Sequence, residues 1–220
     1  MMEIVPIARY QGSFGSKFGI PRQSGIVPEL EGRIVFEDKY RVREALRGLE
    51  DFSHIWLLWG FSANKPAKGE WQPTVRPPRL GGNTSVGVFA SRSPYHPNSI
   101  GLSCVELCAI DGLDLIVRGA DLADGTPIFD IKPYISYADS FPEARCGFAR
   151  KAPEAVLEVE IPADIPLSDA QRATLSHILS LDPRPAYQDD PAREYAMVYD
   201  GSDLRFKVIG NKLFVISYGD

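Results

Sequence analysis

Residues 102–118 read Leu-Ser-Cys-Val-Glu-Leu-Cys-Ala-Ile-Asp-Gly-Leu-Asp-Leu-Ile-Val-Arg. Two apolar runs, Leu102–Ile110 and Leu113–Arg118, flank Asp111-Gly112, a two-residue turn that favours positive φ and marks a β-hairpin. Short strand-like pieces surround it: Glu3–Ala8, Gly32–Glu37, Ser85–Ala90 and Pro127–Tyr134. His54–Phe61 is a nearly unbroken apolar run of strand length and reads as a central strand buried on both sides. Tyr40–Leu49 carries Val42, Ala45, Leu46 and Leu49 on one stripe and predicts a helix weakened by Gly48. Eighteen Pro and 19 Gly divide the chain into short pieces. Many strands, few helices and frequent turns predict a mainly β (α+β) protein whose first part is a single-sheet antiparallel β-barrel.

The pattern changes near residue 150, where we place a boundary between a barrel domain, 1–150, and a small C-terminal α+β domain, 151–220. Ala155–Ile161 alternates apolar and acidic residues as a half-exposed strand. Ser168 is placed to N-cap a helix through Leu181. A stiff loop, Asp182-Pro183-Arg184-Pro185-Ala186-Tyr187, leads to three strands, Tyr195–Tyr199, Leu204–Ile209 and Leu213–Tyr218, whose turns read as a meander.

Composition excludes several classes. No stretch approaches the roughly 20 uninterrupted apolar residues of a membrane helix, and Met1–Pro6 lacks the shape of a secretory signal. Three cysteines in 220 residues do not make a disulfide scaffold, no Cys-x-x-Cys pair occurs, and His54, His96 and His177 lack metal spacing. No metal is expected, and a reducing cytoplasm is the default. Cys104 and Cys108 fall on one strand face and read as small buried thiols. Neither a dinucleotide-binding G-x-G-x-x-G after a strand nor a P-loop is present. The net charge of −5 hides an asymmetry: Lys65, Lys68, Arg76, Arg79 and Arg92 face only Glu70 within residues 61–100. A polyanionic partner would meet that patch, although a solvated basic loop is the plainer reading of charge alone.

Three polar, Pro/Gly-locked segments stand out: 20–25 (Ile-Pro-Arg-Gln-Ser-Gly), 87–101 (Gly-Val-Phe-Ala-Ser-Arg-Ser-Pro-Tyr-His-Pro-Asn-Ser-Ile-Gly) and 124–134 (Asp-Gly-Thr-Pro-Ile-Phe-Asp-Ile-Lys-Pro-Tyr). Proline lowers the entropy lost when such loops are ordered, so their polar groups can be held ready for a ligand. These segments, with Pro-Thr-Val-Arg-Pro-Pro-Arg-Leu-Gly-Gly-Asn at 73–83, resemble the TsaA-like family, the TrmO-type tRNA (adenine-N6)-methyltransferases. The similarity runs from the N-terminus to about Ala149, with a further match at Asp182–Gln188.

That resemblance implies a β-barrel methyltransferase, S-adenosyl-L-methionine as donor, a homodimer, and a threonylcarbamoyladenosine acceptor beside the anticodon of threonine tRNA. It implies a donor held by Pro21, Arg22, Gln23, Arg92, Leu102, Asp124, Gly125, Thr126 and Pro127, and by the positions of Ser62 and Ala63. The chain departs from the family at two points: a His-led dipeptide is common where it has Ser62-Ala63, and Arg is usual where it has His96. A guanidinium such as Arg22 or Arg92 suits a carboxylate bidentately, and apolar Leu102 suits a purine face. An acylated exocyclic nitrogen is a poor nucleophile with an acidified N–H, so a modest acceptor can orient it; Asn98, Asp130 and Tyr134 are candidates, with Lys132 to neutralise developing charge. An alternating strand with a salt bridge is the plain alternative for Asp130 and Lys132.

For RNA, Lys65, Lys68, Arg76 and Arg79 suit phosphates, Trp71 and Tyr95 suit unpaired bases, and Arg184 and Tyr187 extend the footprint of the C-terminal domain as a clamp. A same-barrel methyltransferase with another acceptor, or a non-catalytic module binding donor or RNA, remains the alternative.

Overall fold

The computed structural model describes residues 3–61, 71–184 and 190–219. In chain order the elements are β1 (Ala8–Gly12), β2 (Glu31–Phe36), β3 (His54–Gly60), β4 (Thr74–Val75), β5 (Val86–Gly87), β6 (Ile100–Asp111), β7 (Asp114–Arg118) and β8 (Pro127–Pro133). They are followed by α1 (Ser136–Asp139), β9 (Glu158–Glu160), α2 (Asp169–Ser180), β10 (Glu194–Tyr199), β11 (Ser202–Ile209) and β12 (Lys212–Gly219). Six strands close into an antiparallel barrel in the order β1-β2-β7-β6-β3-β8. The 102–118 hairpin is β6-β7, with Asp111 opposite Asp114.

Strand alternation fills the barrel. Ile55, Leu57 and Trp59 of β3, Val105 and Leu107 of β6, Leu115 and Val117 of β7, and Ala8 and Tyr10 of β1 point inward and are buried. A closed barrel has one interior, so β3 is not buried on both sides: Trp56 and Leu58 lie half-buried on the outer face. The same alternation corrects the reading of the thiols. Ser103, Val105 and Leu107 take the interior, so Cys104 is only half-buried and Cys108 is exposed. Partial burial, with nearby acidic charge, still pushes both thiols up, away from a reactive thiolate.

Two N-terminal expectations shift. The first strand begins at Ala8, beyond Pro6, where alternation places Ala8 and Tyr10 inside. Tyr40–Leu49 is not an α-helix. Short 3-10 turns occupy Asp38–Tyr40, Arg43–Leu46 and Leu49–Asp51. Val42 and Arg47 are extended and Gly48 sits at φ +83°, which interrupts any continuous helical ladder. Of the stripe, only Leu46 is buried. The segment Ser85–Ala90 keeps two strand residues, β5, paired with β4, and then turns as a 3-10 helix over Val88–Ala90.

In the C-terminal part, β10-β11-β12 form the expected meander and β9 joins β12 in parallel. Ser168 caps α2 through a capping box with Gln171. Leu175, Ile178 and Leu179 of α2 and Leu204, Phe206 and Leu213 of the sheet form a second core. Phe14, Val27 and Leu30, from the chain between β1 and β2, are buried in that core too. The loop carrying Pro21-Arg22-Gln23 is thus anchored by apolar residues on both sides of it.

Candidate active site

A cleft of about 370 Å³ opens beside the barrel, within the usual range of small-molecule sites. Three chain-distant segments form it. The loop between β1 and β2 supplies Lys17, Ile20, Pro21, Arg22 and Gln23; the turn after β5 supplies Ser91, Arg92, Ser93 and His96; the segment before β8 supplies Asp121, Ala123 and Thr126. Trp59, Phe61 and the start of β6, Ile100–Leu102, complete the wall.

Hydrogen bonds tie these segments together. Arg92 Nη1 donates to Gln23 Oε1 at 2.8 Å, and Gln23 Nε2 donates to the Arg22 carbonyl at 2.6 Å. The His96 ring meets the Ser91 carbonyl at 2.9 Å through Nε2. Trp59 Nε1 donates to Ser103 Oγ at 2.9 Å, and Ser103 Oγ donates to Asp121 Oδ1 at 2.5 Å. A Cβ at Gly101 would fall on the Trp59 indole, so this glycine lets the ring lie flat against β6.

Asp121 is the residue that sequence reasoning passed over. Burial raises its pKa; the Ser103 hydroxyl, the amides of Asp121 itself and Ser24, and the charge of Arg92 oppose that rise. Its signal was a lone charge in Ala120-Asp121-Leu122, whose two apolar neighbours are buried. Lys17 and the Trp59–Ser103 pair were likewise not singled out.

Of the expected donor contacts, Pro21, Arg22, Gln23, Arg92, Leu102 and Thr126 line the cleft. Asp124, Gly125 and Pro127 are absent from its lining. Asp124 Oδ1 accepts from the Gly12 amide at 3.1 Å, Gly125 turns at φ +74° and donates its amide to Tyr10, and Pro127 pairs with Arg9 in the barrel. They shape the turn that presents Thr126, whose hydroxyl donates to the Ala123 carbonyl at 2.7 Å. Ser62 and Ala63 lie outside the described residues.

The four acceptor-side candidates stand apart from the cleft lining. Asn98 is exposed on the turn before β6. Asp130 and Lys132 form an ion pair of 2.6 Å on β8. Asp130 sits opposite Leu58, which sits opposite Leu102; two strand spacings, about 10 Å, separate Asp130 from the cleft edge. Tyr134 packs its ring near Trp56 and His54. Next to it, Asp139 accepts from the Trp56 indole and the Ile135 amide, which lower its pKa.

On the RNA side, Trp71 and Phe89 stack with centroids 5.9 Å apart, and the His96 ring meets Phe89 edge-on at 5.6 Å. Phe89, 73% exposed, was not foreseen; Trp71 and Tyr95 are also exposed. Arg76 is exposed, whereas Arg79 donates to the Lys151 carbonyl. Arg184 is buried with its guanidinium on Asp182 at 2.9 Å, so it is held inside the fold rather than presented to phosphate. Lys65, Lys68 and Tyr187 lie outside the described residues.

The residues present fit a methyl donor. The cleft combines guanidinium groups, a carboxylate and apolar faces, and Ser93 Oγ is buried with no hydrogen-bond partner among the described residues. Among the described residues, no group of His, Cys, Asp and Glu could hold a metal, and no helix is long and apolar enough to cross a membrane.

Comparison with known proteins agrees with this picture. Residues 9–140 match the tRNA-methyltransferase O N-terminal domain, and residues 155–218 match the TrmO C-terminal domain. A tRNA (adenine(37)-N6)-methyltransferase of Escherichia coli (strain K12) is 40% identical over 212 residues, covering 89% of this chain and 88% of that protein. The Pseudomonas aeruginosa protein named "Putative S-adenosylmethionine-dependent methyltransferase RcsF" is 40% identical over 88% of this chain and 87% of its own. The crystal structure of TrmO from Pseudomonas aeruginosa superposes with a TM-score of 0.81 at 30% identity, over 100% of each chain. On the two matched domains, the near full-length relatives and the shared architecture, this chain belongs to the tRNA-methyltransferase O family.

Proposed function

We propose that this protein is an S-adenosyl-L-methionine-dependent tRNA methyltransferase that methylates N6 of threonylcarbamoyladenosine at position 37 of threonine tRNA, beside the anticodon. The observation that carries the reading is the convergence of the 20–23, 91–96 and 121–126 segments on one cleft, in a chain of this family.

The donor, when bound, supplies a methyl group on a sulfonium, already activated for displacement, so the chain's task is placement. Arg22 and Arg92 bind a carboxylate at the cleft mouth. Leu102 and Ile100 offer an apolar face. Trp59 and Phe61, with ring centroids 4.3 Å apart, exclude water from one wall. On the acceptor side, Asn98 on the turn before β6 can orient the acceptor N–H, and an acceptor reaching across to β8 would meet Asp130 and Tyr134 as groups that orient or accept its proton and Lys132 as a counter-charge for the carbamoyl oxygen. In this reading, Arg76 and Arg79 meet phosphates, and Trp71, Phe89 and Tyr95 offer stacking surfaces for unpaired bases.

We further propose a cytoplasmic homodimer. The half-buried outer-face residues Trp56 and Leu58 give a second copy an apolar strip to cover. The division at 1–150 and 151–220, with the second part as a tRNA clamp, belongs to the same proposal. The test is to incubate the protein with methyl-labelled donor and tRNA from cells lacking the activity, then digest to nucleosides. Label in N6-methyl-threonylcarbamoyladenosine is expected. Label in another nucleoside would replace the acceptor, and donor binding without transfer would make the protein a non-catalytic binder.

A further inference from the structure

Asp121 is the one acidic side chain lining the cleft among the described residues, where Lys17, Arg22 and Arg92 supply the cations. Its side chain is held in place by hydrogen bonds. Ser103 donates to Oδ1, and Trp59 in turn holds Ser103, so a chain of two side-chain hydrogen bonds fixes the carboxylate against the barrel. Among the described residues, Asp121 forms no ion pair with a lysine or arginine. Arg92 is near enough to favour its charged form but directs a guanidinium hydrogen bond to Gln23. A half-buried carboxylate without an ion-pair partner gives up part of its solvation at a cost to the fold. A protein that orients one this carefully at a ligand cleft has left its cation to the ligand.

The donor carries a suitable cation at its amino-acid end, where an ammonium and a carboxylate share one carbon. Arg92 and Asp121, adjacent and opposite in charge, complement those two groups. We infer that Asp121 binds the α-ammonium of the methyl donor, with Arg92 beside it receiving the α-carboxylate. This assignment rests on the donor reading given above and adds a residue to it. It also distinguishes Asp121 from Asp124, whose carboxylate is engaged with the Gly12 amide in the turn.

The experiment compares two ligands by calorimetry: S-adenosylhomocysteine and its deaminated analogue, 4-(5'-adenosylthio)butanoate, which keeps the carboxylate and lacks the ammonium. The unaltered protein should bind S-adenosylhomocysteine about tenfold or more tightly than the analogue, the scale of one charge-assisted contact. In Asp121→Asn that preference should fall to about twofold or less, with the affinity for the analogue kept or raised, since a carboxylate beside Arg92 has been removed. A variant that keeps the preference overturns the assignment. So does one that loses affinity for both ligands equally, since Asp121 would then serve the nucleoside or the fold. Failure of the underlying donor reading looks different: the unaltered protein would bind neither ligand, which overturns both.

If Asp121→Asn does not fold, the unaltered protein still decides the matter through pH. Around Asp121 stand Arg92 and Tyr10 as charged or titratable neighbours, Asp124 also faces Tyr10, and Lys17, Arg22 and His96 share the cleft. The same pH comparison is run on His96→Gln, where the same loss of preference is expected, because an imidazole sharing the cleft acts on the ammonium and not only on the group that both ligands keep. Lowering the pH from about 8 to about 4 should erase the preference for the amino ligand as Asp121 protonates. A preference constant across that range overturns the assignment.

Discussion

Arg92 Nη1 donates to Gln23 Oε1 at 2.8 Å, across 69 residues of sequence. One hydrogen bond therefore joins the 20–25 segment to the 87–101 segment and fixes where the Arg92 guanidinium points. Gln23 is oriented in turn by its bond to the Arg22 carbonyl. Replacing Gln23 with Leu removes the acceptor and lets Arg92 sample other rotamers. Affinity for S-adenosylhomocysteine should fall about tenfold, or about 1.4 kcal/mol; Gln23→Glu keeps an acceptor for Arg92 but loses the donor to the Arg22 carbonyl and sets a competing carboxylate against the guanidinium, so it should weaken binding as well. Calorimetry on both variants checks this.

The Asp121 carboxyl has a stability signature whose sign is fixed by its environment. Burial raises its folded-state pKa above the unfolded value. Between those two values the folded state holds the extra proton, so stability falls as pH rises through that window. Below the window the carboxyl imposes no cost; above it the full cost is felt. Asp121→Asn should therefore raise the melting temperature above the window, and the gain should shrink as pH falls from the raised folded-state value and be gone by the ordinary carboxylate value. Thermal unfolding across pH measures it. Equal melting temperatures above the window would mean that the fold tolerates this charge without cost.

Gly101 touches the Trp59 indole, and that ring is nearly buried in the barrel core. Gly101→Ala must displace it, breaking the Trp59–Ser103 hydrogen bond and altering the cleft wall. A loss of about 1–3 kcal/mol in unfolding stability is expected, as for overpacked cores, together with weakened donor binding. Denaturant unfolding and near-ultraviolet circular dichroism of the tryptophan report both.

Charge and stacking should separate in tRNA binding. Arg76→Ala should weaken binding and lower the salt slope by about 1. Arg79→Ala should do less, since that guanidinium already donates to the Lys151 carbonyl. Phe89→Ala should cost about 1–3 kcal/mol while leaving the salt slope unchanged. Filter binding across a salt series distinguishes the two effects; a slope change in Phe89→Ala would mean the aromatic stack acts by holding the basic loop.

The barrel was legible because a hairpin and a strand-length apolar run announce themselves locally: Asp111-Gly112 makes a turn wherever it is placed. The helix expected at Tyr40–Leu49 failed because periodicity cannot register that Val42 and Arg47 are extended and that Gly48 takes a left-handed turn. Burial of Phe14, Val27 and Leu30 against α2 is a long-range fact that no local pattern carries. In the site, the proline-braced segments could be read because their residue types resist other uses. Asp130 and Lys132 could be read only as alternatives, since strand alternation says which face a residue takes but not what lies opposite. Their ion pair satisfies both. Asp121 was obscured by the neighbouring Asp-Gly-Thr-Pro string, although a single acid between buried Ala120 and Leu122 was the better clue.

The most direct measurement is a crystal structure of the protein with S-adenosylhomocysteine. The account predicts the ligand in the cleft between Pro21–Gln23 and Arg92, its amino-acid end at Arg92 and Asp121 and an apolar face against Leu102. Ligand density anywhere else on the molecule, with this cleft left to solvent, would contradict it.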